Sequence, residues 1–235
     1  MDISEIWHRL VDVQPDPPRW LVLGAAGIAL LAVAVRPLWR LSRNVVTIAH
    51  EGGHGLVAVL TRRRLSGIRL HSDTSGLTLS SGPPTGPGMV LTAAAGYTAP
   101  SLLGLGGAAL LASGHITALL WISIALLAGM LLMIRNAFGV VSVLATGGAF
   151  LAISWYGSTE LQAAFAYLGV WFLLLAGVRP VVELQAKRRQ GGARDSDADQ
   201  LARLTGVGAI LWVTLFLVLA LACLLAGATW LVSGT

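Results

Sequence analysis

The residues with the clearest capacity for chemistry are consecutive: His50-Glu51-Gly52-Gly53-His54, an HExxH pattern inside an apolar run. Residues four apart lie on one face of a helix, so both imidazoles can reach a single ion. Imidazole nitrogen suits zinc at about 2.0–2.1 Å. Glu51 is offset from the two ligands and can act as general base toward a metal-bound water. Zinc brings the pKa of that water toward about 7, which makes a nucleophile for attack on a carbonyl. Peptide hydrolysis needs these parts. The competing reading is a chance pattern, or a helix whose polar groups only pair with one another. Against it, three ionisable side chains within an apolar span are expensive to bury, and such groups are functional candidates by default. Gly52, Gly53 and Gly55 weaken the helix but let a neighbouring helix approach closely, which is packing rather than chemistry.

The elements that must position these residues are membrane helices. The 235 residues are 55% hydrophobic and 11% charged, where a soluble domain carries roughly 25% charged residues. Mean hydropathy is +0.76. These values exclude a secreted, cytosolic or disordered chain and imply an all-α polytopic membrane protein with the lipid bilayer as its solvent. The single cysteine, Cys223, allows neither an internal disulfide nor a cysteine-based cluster. A net charge of +5 fits basic cytoplasmic loops, so no nucleic-acid partner is inferred. A span needs about 20 apolar residues. The candidates are Trp20–Val35, Leu38–Leu60, Met89–Ala112, Ile116–Ile134, Gly139–Trp155, Leu161–Val178 and Gly206–Val232. The first is short and the fifth is interrupted by glycine, so six or seven transmembrane helices are expected.

Met1–Arg19 carries Asp2, Glu5, Asp12 and Asp16 where a signal peptide has a basic flank. It reads as a polar arm. In Thr61–Gly88, Ile68, Leu70, Leu77 and Leu79 alternate with polar residues around a Ser-Gly turn, the pattern of a small β-hairpin. Arg179–Thr205 reads as a hydrophilic linker, with Lys187, Arg188, Arg189 and Arg194 ahead of Asp195, Asp197 and Asp199. With seven spans and the N-terminus inside, all 16 basic residues except Arg36, Arg40 and Arg43 fall on the cytoplasmic side. The N-terminus and loops 61–88 and 179–205 are then cytoplasmic, in a multi-pass protein of the cell membrane. Glu160 suits a helix start, His115 an interfacial turn, and Trp155 with Tyr156 the aromatic belt.

The segment TIAHEGGHGLVAVLTRRRLSGIRL, residues 47–70, resembles the catalytic helix of the site-2 protease family of intramembrane zinc metallopeptidases, and within it a branch of small bacterial peptidase-like members. In that family the HExxH helix runs into a basic turn and a β-hairpin. AAAGYTAPSLLG, Ala93–Gly104, is similar to the family's second core helix, which usually has Gly-Pro and then Asn. The resemblance covers roughly 44–148. It divides the chain into an N-terminal arm and first helix (1–43), a metallopeptidase-like core (44–148) and C-terminal helices with the charged linker (149–235). It implies a Zn2+ cofactor and a transmembrane or juxtamembrane peptide substrate.

The departure from the family is informative. Its third ligand is an aspartate in an Asp-Gly motif of the third core helix. The corresponding stretch here is MIRNAFGVVS, in which Gly139 matches and Phe138 stands in the aspartate's place. Two histidines and a water leave one protein ligand to find. Asn136 offers an amide oxygen, or else caps the following helix. His71 and Asp73 in the hairpin reach the metal if the hairpin tucks under the bundle, or else serve as ordinary turn residues. The expectation is an integral membrane metalloendopeptidase with metal ligands His50 and His54, base Glu51, and a third ligand from Asn136, Asp73 or His71. Ile68, Leu70, Leu77 and Leu79 would hold substrate in extended form. The rivals are a non-catalytic scaffold or regulator with a degenerate metal site, and a small transporter. The absence of internal inverted repeats counts against the transporter.

Overall fold

A computed structural model describes residues 12–192 and 195–233; the first part of the polar arm, 1–11, lies outside the described residues. Helix α1 (Arg19–Ala34) is almost wholly apolar and ends at Val35, which is extended. Helix α2 (Arg36–Leu60) starts at once, with Pro37 in its first turn, where a missing N–H costs nothing. The extended residue turns the chain by 100° between the two helices. Thr61 closes α2 by donating its hydroxyl to the Val57 carbonyl. Strands β1 (Arg64–Leu70) and β2 (Gly76–Ser81) then form an antiparallel hairpin. The remaining elements are α3 (Pro87–Ala112), α4 (Ile116–Met133), α5 (Ala137–Tyr156), α6 (Thr159–Ala176), α7 (Val178–Arg189), α8 (Asp197–Thr205) and α9 (Ala209–Ser233).

The main core joins α1, α3, α4, α6 and α9 around Val22, Leu111, Leu120, Tyr167 and Leu174. A second cluster packs Ala198 and Leu201 of α8 against Ala93, Leu184, Val213 and Phe216. A third sets Ile68 and Leu70 of β1 against Ile48, Met130 and Val143. Helices α3, α4, α5, α9 and the continuous pair α6–α7 are each long and apolar enough to cross a bilayer, and the bent pair α1–α2 makes a sixth when counted as one broken span. The molecule is an all-α polytopic membrane protein with one small hairpin.

Helix α4 gives the fold two ends. At its start, Gln14 donates its amide to the Gly114 carbonyl and accepts from the Thr117 amide. At its finish, the Arg135 amide donates to Ile68 of β1. The described part of the arm and the hairpin therefore sit at opposite ends of the bundle, whereas the seven-span count put both on one side. The reason is the elbow. Arg179, just past α6, bonds to the Val33 carbonyl, so the elbow lies against the α6–α7 junction, and α2 runs from there to the hairpin.

The hairpin does not project from that end. It folds back along α2, with the Thr47 hydroxyl donating to the Thr74 carbonyl at 2.9 Å. Its five-residue turn sets Leu70 opposite Gly76 and Ile68 opposite Thr78. Ile68 and Leu70 thus face the bundle and are fully buried, while Leu77 and Leu79 fall on the other face and are exposed. The linker is not loose chain either. Its described residues form α7 and α8, because Ser196 accepts from the Asp199 amide as a helix cap and Ala198 and Leu201 find an apolar seat.

Candidate metal centre

His50 and His54 lie on the face of α2 that meets α3, as their spacing requires. The two Nε2 atoms are 3.2 Å apart. The third member of the group comes from far along the chain. Oδ2 of Asp197, the first residue of α8, lies 3.3 Å from His50 Nε2 and 3.2 Å from His54 Nε2. Four-coordinate zinc with bonds of about 2.0–2.2 Å has neighbouring donors about 3.3 Å apart, which is this triangle. Among the described residues these three form the one group of histidine, cysteine and acidic side chains able to hold a metal ion.

The donors suit a cation. His54 donates from Nδ1 to the Thr92 carbonyl at 2.7 Å, which turns Nε2 to the cluster. Asp197 Oδ2 is buried and makes no hydrogen bond of ordinary geometry. Burial pushes the Asp197 carboxyl up, but the facing imidazoles of His50 and His54 outweigh it and hold the group well below the usual carboxylate range. Its place in the first turn of α8 adds the favourable end of the helix dipole. Two imidazole nitrogens and a negative charge converge on one point, and a divalent ion that displaces the imidazole protons would find there the donor set it fits.

The surroundings leave little freedom. A Cβ built on Gly96 of α3 would stand 2.5 Å from His50 Nε2 and closer to His54 Nε2. Gly53 meets Ala95 and Ala99 as closely, so small residues on both helices let the backbones meet at the cluster. Tyr97 meets His50 edge to face, ring centroids 4.9 Å apart, and stacks on Phe216 of α9. The guanidinium of Arg188 pairs with Asp199, which tethers the start of α8 to α7. An open cavity of about 510 Å³ beside the cluster is lined by Tyr97, Ser75, Glu183, Asp195 and Ser196.

Glu51 is buried and lies between α2 and the hairpin. Its carboxylate accepts from the Thr78 hydroxyl at 2.7 Å, and Gly76 leaves room for it: a Cβ there would come 2.5 Å from Oε1. The other candidates take up different contacts. Asp73 accepts from the amide and hydroxyl of Ser75 at 3.0 and 2.7 Å, and these bonds lower its pKa. His71 faces the same hydroxyl at 3.3 Å. Asn136 occupies the N-cap position of α5 but makes no cap bond. Its amide brackets Leu70 instead, donating to the carbonyl at 2.6 Å and accepting from the N–H at 3.1 Å. None of these three is in the group formed by His50, His54 and Asp197.

A family model described as peptidase M50B-like matches residues 23–227. The chain belongs to the M50B-like peptidase family, a part of the site-2 protease family. Searches of curated proteins and of solved structures gave no match. The M50B-like match takes in α8, and with it Asp197, outside the stretch 44–148 in which the sequence shows its resemblance. The signal for Asp197 was present in the sequence but faint: a Ser-x-x-Asp cap at 196–199 followed by Ala198, Leu201 and Leu204 at helical spacing.

Proposed function

We propose that this M50B-like protein is a zinc metalloendopeptidase that cleaves peptide bonds within or beside the bilayer, with His50, His54 and Asp197 as its metal ligands. The convergence of two imidazole nitrogens and one carboxylate oxygen at 3.2–3.3 Å carries the reading. Zinc in that position would polarise the scissile carbonyl and acidify the attacking water. Glu51 takes the proton from that water and passes it to the departing amine. Thr78 holds the Glu51 carboxylate toward the hairpin, so the side that receives substrate also orients the base. Tyr97 fixes the His50 ring from the opposite side.

The hairpin supports a mode of substrate binding. β2 pairs with β1 alone, and its outer edge has no backbone partner among the described residues. A segment unwound from a helix would extend the sheet there, with Leu77 and Leu79 exposed beside it. Ile68 and Leu70, buried in the bundle, serve by fixing the hairpin in place. The hairpin end is assigned to the cytoplasm. Once the elbow replaces a seventh span, Arg36, Arg40 and Arg43 join that end, and among the described basic residues only Arg19 lies opposite.

The test is zinc content and cleavage of single-span model substrates by the full chain in detergent or bilayers. The parent is expected to hold one zinc per chain. Asp197→Ala and His54→Ala should lose it, and Glu51→Gln should keep it while cleavage falls by about 10²–10⁴-fold. Full zinc binding by Asp197→Ala would remove the metal assignment. Zinc bound normally with no cleavage dependent on Glu51 would leave the scaffold reading instead.

A further inference from the structure

The elbow between α1 and α2 carries a second concentration of charge that the metal centre does not use. An open pocket of about 420 Å³ lies between the first two turns of α2 and α7, lined by Arg36, Arg40, Arg43, Arg179, Glu183 and Lys187. Its floor is built rather than incidental. Buried Trp39 donates its indole N–H to Glu183 at 3.0 Å, and the Arg179 guanidinium lies 4.7 Å above the Trp39 ring. Glu183 accepts from Arg179 at 2.9 Å and lies 3.6 Å from Arg43, so this one carboxylate already serves two guanidinium groups. Arg36, Arg40 and Lys187 have no carboxylate within ion-pair distance among the described residues. Like charges held this close repel unless an anion joins them.

The position of the pocket says which anion. α1 runs through the bundle as an apolar helix and ends at Ala34, and the 100° turn brings Arg36–Arg43 to the hairpin end of the bundle. On the same helices, outside the pocket lining, Leu38 and Leu41 are 43% and 81% exposed and Val182 of α7 is 53% exposed. Cations lining a pocket on helices that also carry bare aliphatic side chains match a phosphate headgroup with its acyl chains alongside. We propose that the α1–α2 elbow and α7 form a binding site for the phosphate of an anionic phospholipid. Glu183 and Lys187 line both this pocket and the cavity beside the metal centre, so bound lipid would brace α7 and the approach to α8. The site stands whether or not the chain is a peptidase.

Native mass spectrometry of the full chain, released from bilayers of phosphatidylcholine with or without phosphatidylglycerol, tests this. The parent should retain phosphatidylglycerol selectively. The triple variant Arg36→Ala, Arg40→Ala, Lys187→Ala should retain much less, by about fivefold for each cation removed. The same substitutions at exposed Arg62 and Arg64 in the hairpin should leave retention unchanged. Arg40→Gln alone, at an exposed position, reports the loss should the triple variant fail to fold. Equal retention by the Arg40 and triple variants overturns the proposal, as does an equal loss in the hairpin variant. Inorganic phosphate that displaces the lipid at millimolar concentration would overturn the lipid assignment.

Discussion

At the scale of single residues, the metal centre depends as much on absent atoms as on present ones. Gly96 has no catalytic group, yet a methyl on it would enter the space where two imidazole nitrogens and a carboxylate meet. Gly96→Ala is therefore expected to abolish zinc binding while the helices still form, giving a chain with normal circular dichroism and no metal by elemental analysis. A variant with full zinc content would show that the rings can move aside. Gly76→Ala makes the complementary test. Its methyl would press on the Glu51 carboxylate, so cleavage should fall by about tenfold or more with zinc content unchanged.

At the scale of elements, what could be read in advance was what is local. The HExxH spacing defines one helix face by itself, and alternation defines a hairpin. Two nonlocal consequences could not be seen. The odd-numbered turn splits Ile68 and Leu70 from Leu77 and Leu79, because a side chain's face follows the pairing register and not the apolar pattern alone. Asp197 sits in an alternating acidic stretch that reads as solvated surface; only the packing of α8 into the second cluster turns it inward. The elbow was equally hidden, since two apolar stretches with Arg36-Pro37 between them look like two crossings. The tether of α8 can be tested directly. Arg188→Ala removes the partner of Asp199 without touching a ligand. It should weaken zinc affinity by about 10–100-fold, as loss of outer-sphere support does, read by competition with a chelator.

At the scale of the whole molecule, the metal centre joins α2 to α8, and those helices belong to different packing clusters. A ligand that binds only the folded chain stabilises it in proportion to its saturation. Chelation is accordingly expected to lower the melting temperature and to speed amide exchange across 195–205, with α4 and α5 unaffected. The two-ended arrangement has its own test in a Cys223→Ala background. Cysteines placed at exposed Asp16 of the arm and Arg62 should react with an impermeant thiol reagent from opposite sides of sealed vesicles. Labelling from one side would restore the seven-span count.

The distance in sequence between the paired histidines and Asp197 also orders events during synthesis. A ribosome releases the HExxH helix long before it makes α8, and a nascent chain that stops after α7 holds two imidazoles with no carboxylate to join them. The hydrolytic machinery proposed here would thus stay inert during insertion and switch on only as the final helix settles. The translocon, and the growing polypeptide itself, would be spared a half-built protease.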